Sequence, residues 1–301
     1  MLKKFSTSGL IVMVVLIAFD GYLLFRVASD RAAARGARRA LFLDVGQGDS
    51  ELFIFGGRRK VLVDAGADKS VMKALAEAFS PDERYIDLAI VTHADLDHFG
   101  GFEFLLDGGY SFGAFIYNGR EGDPGEARWA AFRENTKRNG IPFISLGAED
   151  RIRFDASDSI EVLSPPYPLA SGGASNDAAL VVTAETGSLK TILMADAGFG
   201  TEALLVEHYG SSLGADILKA GHHGSKYSTS EPLLKALRPR IVILEVGAGN
   251  RYGHPSKEAL SRIVRTIPFA KVLRTDKSGT IEAAADLAGR IFLKTSREDL
   301  E

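Results

Sequence analysis

The sequence predicts an α/β fold in which two β-sheets pack face to face and carry helices on their outer surfaces. Short runs of β-forming residues alternate with amphipathic helical stretches along most of the chain. Three strands in close succession at 41–64 predict a meander, which disfavours the alternative of a single parallel, doubly wound sheet. We see no repeat on the scale of roughly 20–50 residues, so the sequence does not predict a repeat architecture.

The elements of the folded part are predicted from apolar periodicity and from glycine and proline positions. Glycine turns at 46–48 and 56–57 separate the strands of the opening meander. Strands are expected at 41–45, 51–55, 60–64, 86–92, 113–117, 141–145, 160–163, 178–184, 190–194, 215–219, 240–246, 270–274 and 279–283. Helices are expected at 69–79, 125–138, 199–209, 229–237 and 255–265, with a short one after Gly100-Gly101. Pro255 opens the helix at 255–265, at a first-turn position.

The composition excludes several classes of protein. Of the 301 residues, 46% are hydrophobic and 25% are charged, which excludes an intrinsically disordered chain. The sequence has no cysteine, which excludes disulfide-stapled scaffolds and cysteine-ligated metal sites. The formal charge of −3 argues against coating nucleic acid by bulk electrostatics. It does not exclude an enzyme that holds a short stretch of phosphate backbone through a metal.

The first residues of the chain carry the pattern of a targeting or anchoring helix. Residues 9–25 form an apolar run of 17 residues that only Asp20 interrupts, and Lys3 and Lys4 precede it. At about 1.5 Å per residue, this run just reaches the lower limit for a membrane-spanning helix. We predict a signal-anchor helix at 1–27; a cleaved signal peptide and a buried core helix are the alternatives.

The residues after this run predict a linker at 28–40, rich in alanine and arginine, and a main domain at 41–295. The two lysines before the apolar run favour an exported main domain, whereas five arginines after it favour the opposite orientation. We expect a membrane-anchored or exported protein whose main domain is extracytoplasmic.

The strongest functional signal is the segment His93-Ala94-Asp95-Leu96-Asp97-His98, which follows the predicted strand at 86–92. In an extended chain alternate residues project to the same side, so His93 and Asp95 can share one metal ion. A tight turn would then direct Asp97 and His98 toward a second ion. Nitrogen and carboxylate ligands without thiolate suit zinc, manganese or iron. The competing interpretation is a polar, solvated loop.

Two further segments place similar residues after predicted strands. Asp196 ends an apolar run at 190–196 and is either a carboxylate that bridges two cations or a turn or helix-cap residue. The pair His222 and His223 follows the strand at 215–219. It provides either a metal ligand plus a substrate contact, or a purely structural pair. Because strand ends on one edge of a sheet converge, we expect these residues to meet at one site.

Eight separated stretches between residues 41 and 285 form a characteristic series. They are LFLDVGQGDS at 41–50, VLVDAG at 61–66, THADLDHFGG at 92–101, SNDAALVV at 175–182, ILMADAG at 192–198, ILKAGHHGSKYSTS at 217–230, GNRYGHPS at 249–256 and RTDKSGTI at 274–281. This series resembles the metallo-β-lactamase superfamily and, within it, the hydrolase domain of ComEC-type competence (DNA-uptake) proteins. The resemblance implies an αββα sandwich, a metal site at the sheet edges and hydrolysis of a phosphodiester such as DNA.

The resemblance also implies metal-binding roles for matched residues. The implied ligands are His93, Asp95, Asp97, His98, Asp196, His222 and His223. His93 and Asp95 resemble ligands of a first ion, and Asp196 resembles the bridge to a second ion. Asp97, His98 and one histidine of the later pair resemble ligands of the second ion. We favour His222 over His223 because His222 is nearer the strand end.

Three other matched residues are expected to support or line the site. Asp64 resembles the superfamily's strand-end aspartate that supports the metal-binding loop, and Asp49 and Asn176 lie in the remaining signature stretches. The sequence also departs from the superfamily's pattern. Asp95 stands where most members have histidine, and no histidine lies between His98 and residue 208. We expect a first-ion site that is incomplete, weak or filled only when substrate is present, and a metal preference shifted from zinc toward manganese or magnesium.

The expected cofactor is one or two divalent ions, zinc or manganese with magnesium as an alternative. Asp97 is expected to bind the metal and to orient the attacking water. His254 is a candidate for protonating the leaving group or contacting phosphate, unless it caps the following helix. Ser225, Lys226 and Arg251 are expected to contact phosphate; ordinary solvated loop residues are the alternative.

The sequence therefore predicts a metal-dependent phosphodiesterase or nuclease acting on DNA, including single-stranded DNA. The alternatives are a hydrolase of the same fold acting on a lactone or a phosphocholine ester, and a non-catalytic, membrane-tethered binding module. The membrane is an expected partner through the N-terminal helix, and no protein partner is predicted. We do not expect a transport function to follow from the resemblance, because the sequence contains a single apolar anchor rather than a multi-helix channel region.

Overall fold

A computed structural model describes residues 38–120, 127–165 and 176–297. The anchor helix predicted at 1–27 and most of the linker predicted at 28–40 lie outside these residues and stay predictions. Within the described ranges, no helix combines the length and the apolar character needed to cross a membrane.

The strands of the described residues form two mixed sheets. They are β1 (Arg39–Phe42), β2 (Glu51–Ile54), β3 (Lys60–Val63), β4 (Tyr85–Val91), β5 (Ser111–Tyr117), β6 (Phe143–Ser145), β7 (Arg151–Arg153), β8 (Asp158–Ser164), β9 (Val181–Thr186), β10 (Leu189–Leu193), β11 (Ile217–Lys219), β12 (Ile241–Leu244), β13 (Lys271–Arg274), β14 (Ile281–Ala285) and β15 (Ile291–Thr295). One sheet has the order β15-β14-β1-β2-β3-β4-β5-β6, and the other has the order β13-β12-β11-β10-β9-β8-β7. Strands β3 to β6 run parallel to one another, as do β10 to β13.

The helices lie outside the two sheets, so the domain has four layers. They are α1 (Ser70–Ala78), α2 (Leu96–Asp107), α3 (Ala127–Arg138), α4 (Phe199–Tyr209), α5 (Glu231–Leu237), α6 (Lys257–Thr266) and the single turn α7 (Thr275–Ser278). One apolar core joins α1, α2 and α3 to the first sheet, a second lies between the sheets, and a third joins α4, α5 and α6 to the second sheet. The predicted αββα sandwich is confirmed.

The apolar strands are explained by burial on both faces of each sheet. In β1, Ala40 and Phe42 enter the core between the sheets, whereas Leu41, and Leu43 directly after the strand, enter the outer core beneath the helices. Side chains alternate between the two faces of a strand, so a strand covered on both sides reads as a continuous apolar run. Each large side chain buried in this way contributes roughly 1.5–3 kcal/mol to stability.

Helix α2 begins earlier than predicted, and this difference shapes the site. It starts at Leu96 rather than after the glycine pair, so Gly100 and Gly101 lie inside the helix. A Cβ atom on Gly101 would overlap the carbonyl oxygen of Ala65, and one on Gly100 would lie 2.5 Å from that of Ala67. The glycines therefore permit close packing of the helix instead of ending a loop.

Serine side chains cap the helices α5 and α6. Helix α6 begins at Lys257 because Ser256 Oγ accepts a hydrogen bond from the Ala259 N–H at 3.1 Å. Pro255 therefore precedes the helix rather than opening it. Ser230 caps α5 in the same way, so that helix begins two residues later than predicted.

The elements that the sequence did not predict are short or lie at edges. Strands β7 and β15 end their sheets, and their residues are half-buried or exposed, so they lack a strong apolar pattern. The strand predicted at 178–184 begins only at Val181, because residues 176–178 form a single helical turn. The strand predicted at 41–45 is instead Arg39–Phe42. The other predicted elements are present, most of them with shifted ends.

Candidate metal centre

The candidate site lies at the carboxyl ends of parallel strands from both sheets. In the first sheet, Asp64 follows β3 directly and His93 follows β4; in the second, Asp196 follows β10 and His223 follows β11. Parallel neighbours end on the same edge of a sheet, which brings these residues together. Asp196 Oδ1 lies 3.4 Å from His98 Nε2 and 3.6 Å from His223 Nε2. The expected convergence of the three sequence segments is therefore present.

Four buried ligand-type atoms at this edge have no hydrogen-bond partner among the described residues. They are His93 Nε2, His98 Nε2, His223 Nε2 and Asp196 Oδ1. Buried polar atoms are normally hydrogen-bonded, because leaving one unpaired costs free energy. Ligand atoms of His93, His98 and Asp196 all lie within 4.8 Å of one another, as do those of Asp97, His98 and His223. The two groups fit one or two divalent cations, and imidazole with carboxylate is a suitable donor set.

Each of the three buried imidazoles is held from behind through its Nδ1 atom. His93 Nδ1 lies 3.0 Å from Thr92 Oγ1, His98 Nδ1 lies 2.6 Å from Asp64 Oδ2, and His223 Nδ1 lies 3.0 Å from the carbonyl oxygen of Glu245. When Nδ1–H donates to these acceptors, the lone pair of each Nε2 faces the centre. Metal-binding histidines are commonly oriented by such a second hydrogen bond.

Asp64 is the main support of His98. Its carboxylate also accepts hydrogen bonds from the Thr92 N–H at 2.9 Å and the Thr92 hydroxyl at 2.6 Å. Burial lowers the pKa of His98, but the negative charges of Asp64 and Asp196 outweigh it and hold the pKa well above its ordinary value. The structure thus places Asp64 behind the ligands, where a supporting aspartate is required.

The geometry favours His223 over His222 as the ligand, contrary to the preference based on the sequence. His222 Nε2 lies 3.6 Å from Asp196 Oδ2, but its side chain is 37% exposed, whereas the His223 side chain is 2% exposed. Both histidines lie in the turn 221–224 and have positive φ angles of 45° and 53°. This turn directs the second imidazole inward, so distance from the strand end does not decide which one binds.

Four of the eight non-glycine residues with positive φ angles in the described part of the chain lie beside the centre. Asp64 and Ala195 also have positive φ angles, 52° and 46°, in addition to the two histidines. Such conformations cost on the order of 1–3 kcal/mol each in residues other than glycine, and they cluster at functional sites. Here they turn the side chains that follow the strand ends toward one point.

Asp95 and Asp97 form the open side of the centre. His93 Nε2 lies 3.7 Å from Asp95 Oδ2, and His223 Nε2 lies 3.4 Å from Asp97 Oδ2. Asp97 and His98 occupy the first turn of α2, rather than the tight turn that the sequence predicted. Burial raises the pKa of Asp97, but the contact with His223 and the charge of His98 hold it well below its ordinary value. Burial likewise raises the pKa of Asp196, but the charges of His98 and His223 outweigh burial and hold it well below its ordinary value. Both carboxylates are therefore ionised.

Asp49 lies behind the ligands rather than lining a substrate surface. Its side chain is 1% exposed, its Oδ1 lies 3.1 Å from His223 Nδ1, and its Oδ2 contacts the Nζ of Lys219. Lys219 is fully buried, and burial lowers its pKa to about 7. Asp49 is therefore too deep to contact substrate, and its carboxylate faces the His223 ring instead.

Two further buried acids stand next to Asp49. Carboxylate oxygens of Asp49, Glu51 and Glu245 lie within 4.8 Å of one another. Burial, together with the neighbouring carboxylate of Glu245, raises the pKa of Glu51 well above its ordinary value. Burial also raises the pKa of Glu245 to about 7. The two glutamates therefore keep a proton in the folded state where exposed glutamates would be ionised.

Four further residues of the site were not predicted from the sequence, although each has a recognisable sequence context: Thr92, Lys219, Glu51 and Glu245. Glu51, Lys219 and Glu245 are charged residues within or at the ends of otherwise apolar strand runs. A charge in a buried strand must find a partner, so it marks a polar site. Thr92 directly precedes the first ligand histidine.

A cavity of about 390 Å³ opens beside Asp97. Its lining includes Gln47, Leu96, Asp97, Asn250, Arg251 and Tyr252. The main chain of His254 is fixed next to the cavity. Its main-chain N–H donates to Asn250 Oδ1 at 3.0 Å, and its carbonyl oxygen accepts from Asn250 Nδ2 at 2.6 Å. Its ring centroid lies 5.5 Å from that of His222. His254 does not cap α6, since Ser256 does so.

The remaining predicted substrate contacts lie at different depths. Ser225 is buried, and its Oγ accepts a hydrogen bond from the Tyr227 N–H at 3.3 Å, so it stabilises its own turn. Lys226 is exposed on the same loop. Asn176 begins the turn at 176–178, near Leu180, whose N–H bonds the carbonyl oxygen of Thr92. Substrate binding by these residues stays a prediction.

A family model described as the metallo-beta-lactamase superfamily matches residues 43–244. The chain belongs to the metallo-beta-lactamase superfamily. Two curated competence proteins are similar to it: ComE operon protein 3 of Bacillus subtilis is 31% identical over 80% of this chain, and competence protein ComA of Neisseria gonorrhoeae is 32% identical over 79%. The matched parts are 32% and 31% of those proteins, so this chain spans about a third of their length.

A solved structure independently agrees with the fold. CmlA, a diiron beta-hydroxylase from Streptomyces venezuelae, has a TM-score of 0.52 and is 14% identical, over 79% of this chain and 53% of that chain. This likeness concerns the architecture alone. Together, the family match, the competence relatives and the donor cluster identify a ComEC-like member of a superfamily of metal-dependent hydrolases.

Proposed function

We propose that this protein is a metal-dependent phosphodiesterase that cleaves DNA. The observation that carries the proposal is the position of Asp97, which touches the buried ligand cluster through His223 and also lines the adjoining cavity. A substrate in that cavity would reach the metal-binding residues directly. The similarity to competence proteins supports DNA as the source of the phosphodiester.

The donor cluster, together with Asp95 on its open side, suits two cations. His93, Asp95 and Asp196 would hold one ion, and Asp97, His98 and His223 would hold the other, with Asp196 shared between them. A bound divalent cation would supply an activated water at neutral pH and would polarise the phosphoryl group. Because carboxylates form half of this set, manganese and magnesium are suitable ions as well as zinc.

The surrounding side chains would orient the reactants. Asp97 is ionised, so it can only accept hydrogen bonds, and a water placed beside it would point a hydrogen toward it. Burial and the charges of His223 and His222 lower the pKa of His254. A neutral His254 can donate one hydrogen bond to phosphate but is a poor source of a proton. This favours the phosphate contact over protonation of the leaving group.

The decisive experiment compares two matched substitutions in helix α2. Asp97→Asn should abolish hydrolysis of single-stranded DNA and of bis(p-nitrophenyl) phosphate in manganese or zinc. Asp107→Asn, an exposed change at the other end of the helix, should leave hydrolysis unchanged. Full activity of Asp97→Asn, or wild-type activity that survives EDTA, would contradict the proposal. Cleavage of a lactone or a phosphocholine ester, without cleavage of either phosphodiester, would move the assignment to another ester.

We also propose that the protein is membrane-anchored or exported, with residues 41–295 outside the cytoplasm. The support is the apolar run at 9–25 with its preceding lysines. Two reporters are fused to the carboxyl end, one active only outside the cytoplasm and one active only inside it. We expect activity from the first reporter and none from the second. Activity of the cytoplasmic reporter alone would show the opposite orientation.

A further inference from the structure

Three exposed aromatic side chains beside the metal centre each carry a cation on the ring. Phe199, Tyr227 and Tyr252 are 40%, 64% and 57% exposed. Arg262 Cζ lies 5.0 Å from the ring centroid of Phe199, Lys226 Nζ lies 4.9 Å from that of Tyr227, and Arg251 Cζ lies 5.4 Å from that of Tyr252. We call these three pairs the aromatic platform.

Tyr252 lies on the cavity side of the centre. Its ring stacks on His254 with centroids 6.0 Å apart and an angle of 25° between the planes. The His254 ring lies next to that of His222, which reaches Asp196. A row of rings therefore leads from exposed Tyr252 to the ligand cluster.

Phe199 and Tyr227 approach the centre along different segments. Phe199 follows Asp196 by three residues, and its N–H donates to the carbonyl oxygen of Tyr227 at 3.0 Å. Arg262 on α6 donates to the carbonyl oxygens of Lys226 at 2.9 Å and Ser228 at 3.0 Å. These bonds hold the main chain at Phe199, three residues beyond Asp196, against that at Tyr227 and place Arg262 between the two segments.

The pairing of ring and cation distinguishes the platform from other exposed aromatic side chains. Tyr85, Phe269 and Phe292 are 49%, 62% and 56% exposed, and no cation of the described residues lies over their rings. Tyr85 opens β4 at the end opposite to the metal centre, and Phe292 lies in the edge strand β15. Within the described part of the chain, the exposed rings that carry cations are thus those at the metal centre.

We propose that the aromatic platform determines specificity by stacking on unpaired bases of a single nucleic-acid strand. This inference rests on the proposed phosphodiesterase function. Base stacking on aromatic side chains is favourable for every base, and neighbouring cations contact the phosphates. In a duplex the base faces are covered by their neighbours, so the platform selects unpaired strands. Tyr252 on one segment and Phe199 with Tyr227 on others would hold bases flanking the phosphodiester at the metal.

The test compares an oligothymidylate with an oligomer of equal length whose residues are all abasic. Both contain phosphodiesters, but only the first can stack. For the full-length protein in manganese, kcat/KM should be at least about tenfold higher on the oligothymidylate. The preference is the ratio of kcat/KM on the oligothymidylate to kcat/KM on the abasic oligomer. Each of three alanine substitutions should reduce it, mainly through KM: Tyr252→Ala, Tyr227→Ala and Phe199→Ala. Tyr252→Trp, which keeps an aromatic ring, should retain the preference. Tyr85→Ala, a matched exposed substitution, should leave the ratio unchanged.

The outcomes separate this inference from the function on which it rests. If the wild-type protein cleaves both oligomers equally, or if the alanine variants keep the full preference for the oligothymidylate, the platform does not stack bases, although the protein is a phosphodiesterase. If the wild-type protein cleaves neither oligomer nor bis(p-nitrophenyl) phosphate, the proposed function itself is wrong. Equal cleavage of duplex and single-stranded thymidylate tracts would also contradict the platform.

Discussion

The buried and the open sides of the metal centre differ in how their side chains are held. The side chains of His93, His98, Asp196 and His223 are at most 5% exposed, and the three imidazoles are fixed through Nδ1 from behind. Asp95, Asp97 and His222 have side chains that are 38%, 32% and 37% exposed. The difference indicates a division of labour. Changes on the buried side should remove metal, whereas changes on the open side should reduce turnover more than metal content.

The largest effect is expected from Asp196→Asn on the buried side. Asp196 faces both His98 and His223 and is the one carboxylate common to both proposed ion sites. Losing its charge should reduce metal affinity by more than the roughly 10- to 100-fold typical of a supporting residue, and activity should fall with it. Metal analysis and hydrolysis assays check this. Asp82→Asn, an exposed change, is the control; retention of stoichiometric metal by the Asp196 variant would contradict the shared role.

The two adjacent histidines test the division directly. His223→Ala should lose metal, because His223 belongs to the buried side, whereas His222→Ala should keep most of its metal and lose activity instead. Both variants are titrated with manganese and zinc and assayed at saturating metal. The reverse order of metal affinities would restore the original preference for His222 and break the comparison.

Asp64→Asn should have a smaller effect, because Asp64 acts through His98. The variant keeps the size of the side chain but loses the charge that orients the His98 ring. We expect metal affinity to fall by about 10- to 100-fold, with activity recovered at high metal concentration. Asp87→Asn is the matched control at the other end of the same strands, where Asp87 accepts a hydrogen bond from the Lys60 N–H. If both variants behave alike, Asp64 is only a structural residue.

The smallest effect on activity is expected from Glu51→Gln, which instead changes how stability depends on pH. The raised pKa values of Glu51 and Glu245 mean that the folded protein binds more protons than the unfolded chain between about pH 4.5 and 7. The free energy of unfolding should therefore fall as pH rises through this window. The shift of the Glu245 pKa from 4.5 to about 7 corresponds to a fall on the order of 3 kcal/mol. Glu51→Gln should flatten that fall in urea unfolding measured across the window, and exposed Glu77→Gln should not. An unchanged slope in Glu51→Gln would show that the buried pair does not hold the extra proton.

The sequence predicts the architecture and the gathering of the ligands better than their orientation. Apolar runs at strand spacing indicate doubly covered sheets, and polar residues after strands such as β4 and β10 indicate where those strands end. The direction of each side chain depends instead on backbone angles that sequence patterns do not reveal. The turn at 221–224 is an example, because its two positive φ angles exchange the expected roles of His222 and His223.

Depth is the second property that the sequence does not reveal. Asp49 lies in a signature stretch, which suggested a place in the substrate surface, but only the packing of Lys219 and His223 around it shows that it is buried. The start of α2 was misplaced for a related reason. Glycine usually marks a turn, whereas Gly100 and Gly101 serve tertiary packing, which becomes visible only when the loop at 65–67 lies against them.

That glycine pair has a consequence for how an ion would be received. With no side chains between them, α2 and the loop after β3 are joined by main-chain hydrogen bonds: the Ala65 N–H donates to the His98 carbonyl oxygen at 2.7 Å, and the Gly101 N–H donates to the Gly66 carbonyl oxygen at 2.8 Å. His98 and its support Asp64 are consequently joined by a side-chain hydrogen bond and, through the neighbouring Ala65, by a main-chain hydrogen bond. An arriving cation would meet a receptor assembled in advance and would spend little of its binding free energy on rearranging the protein.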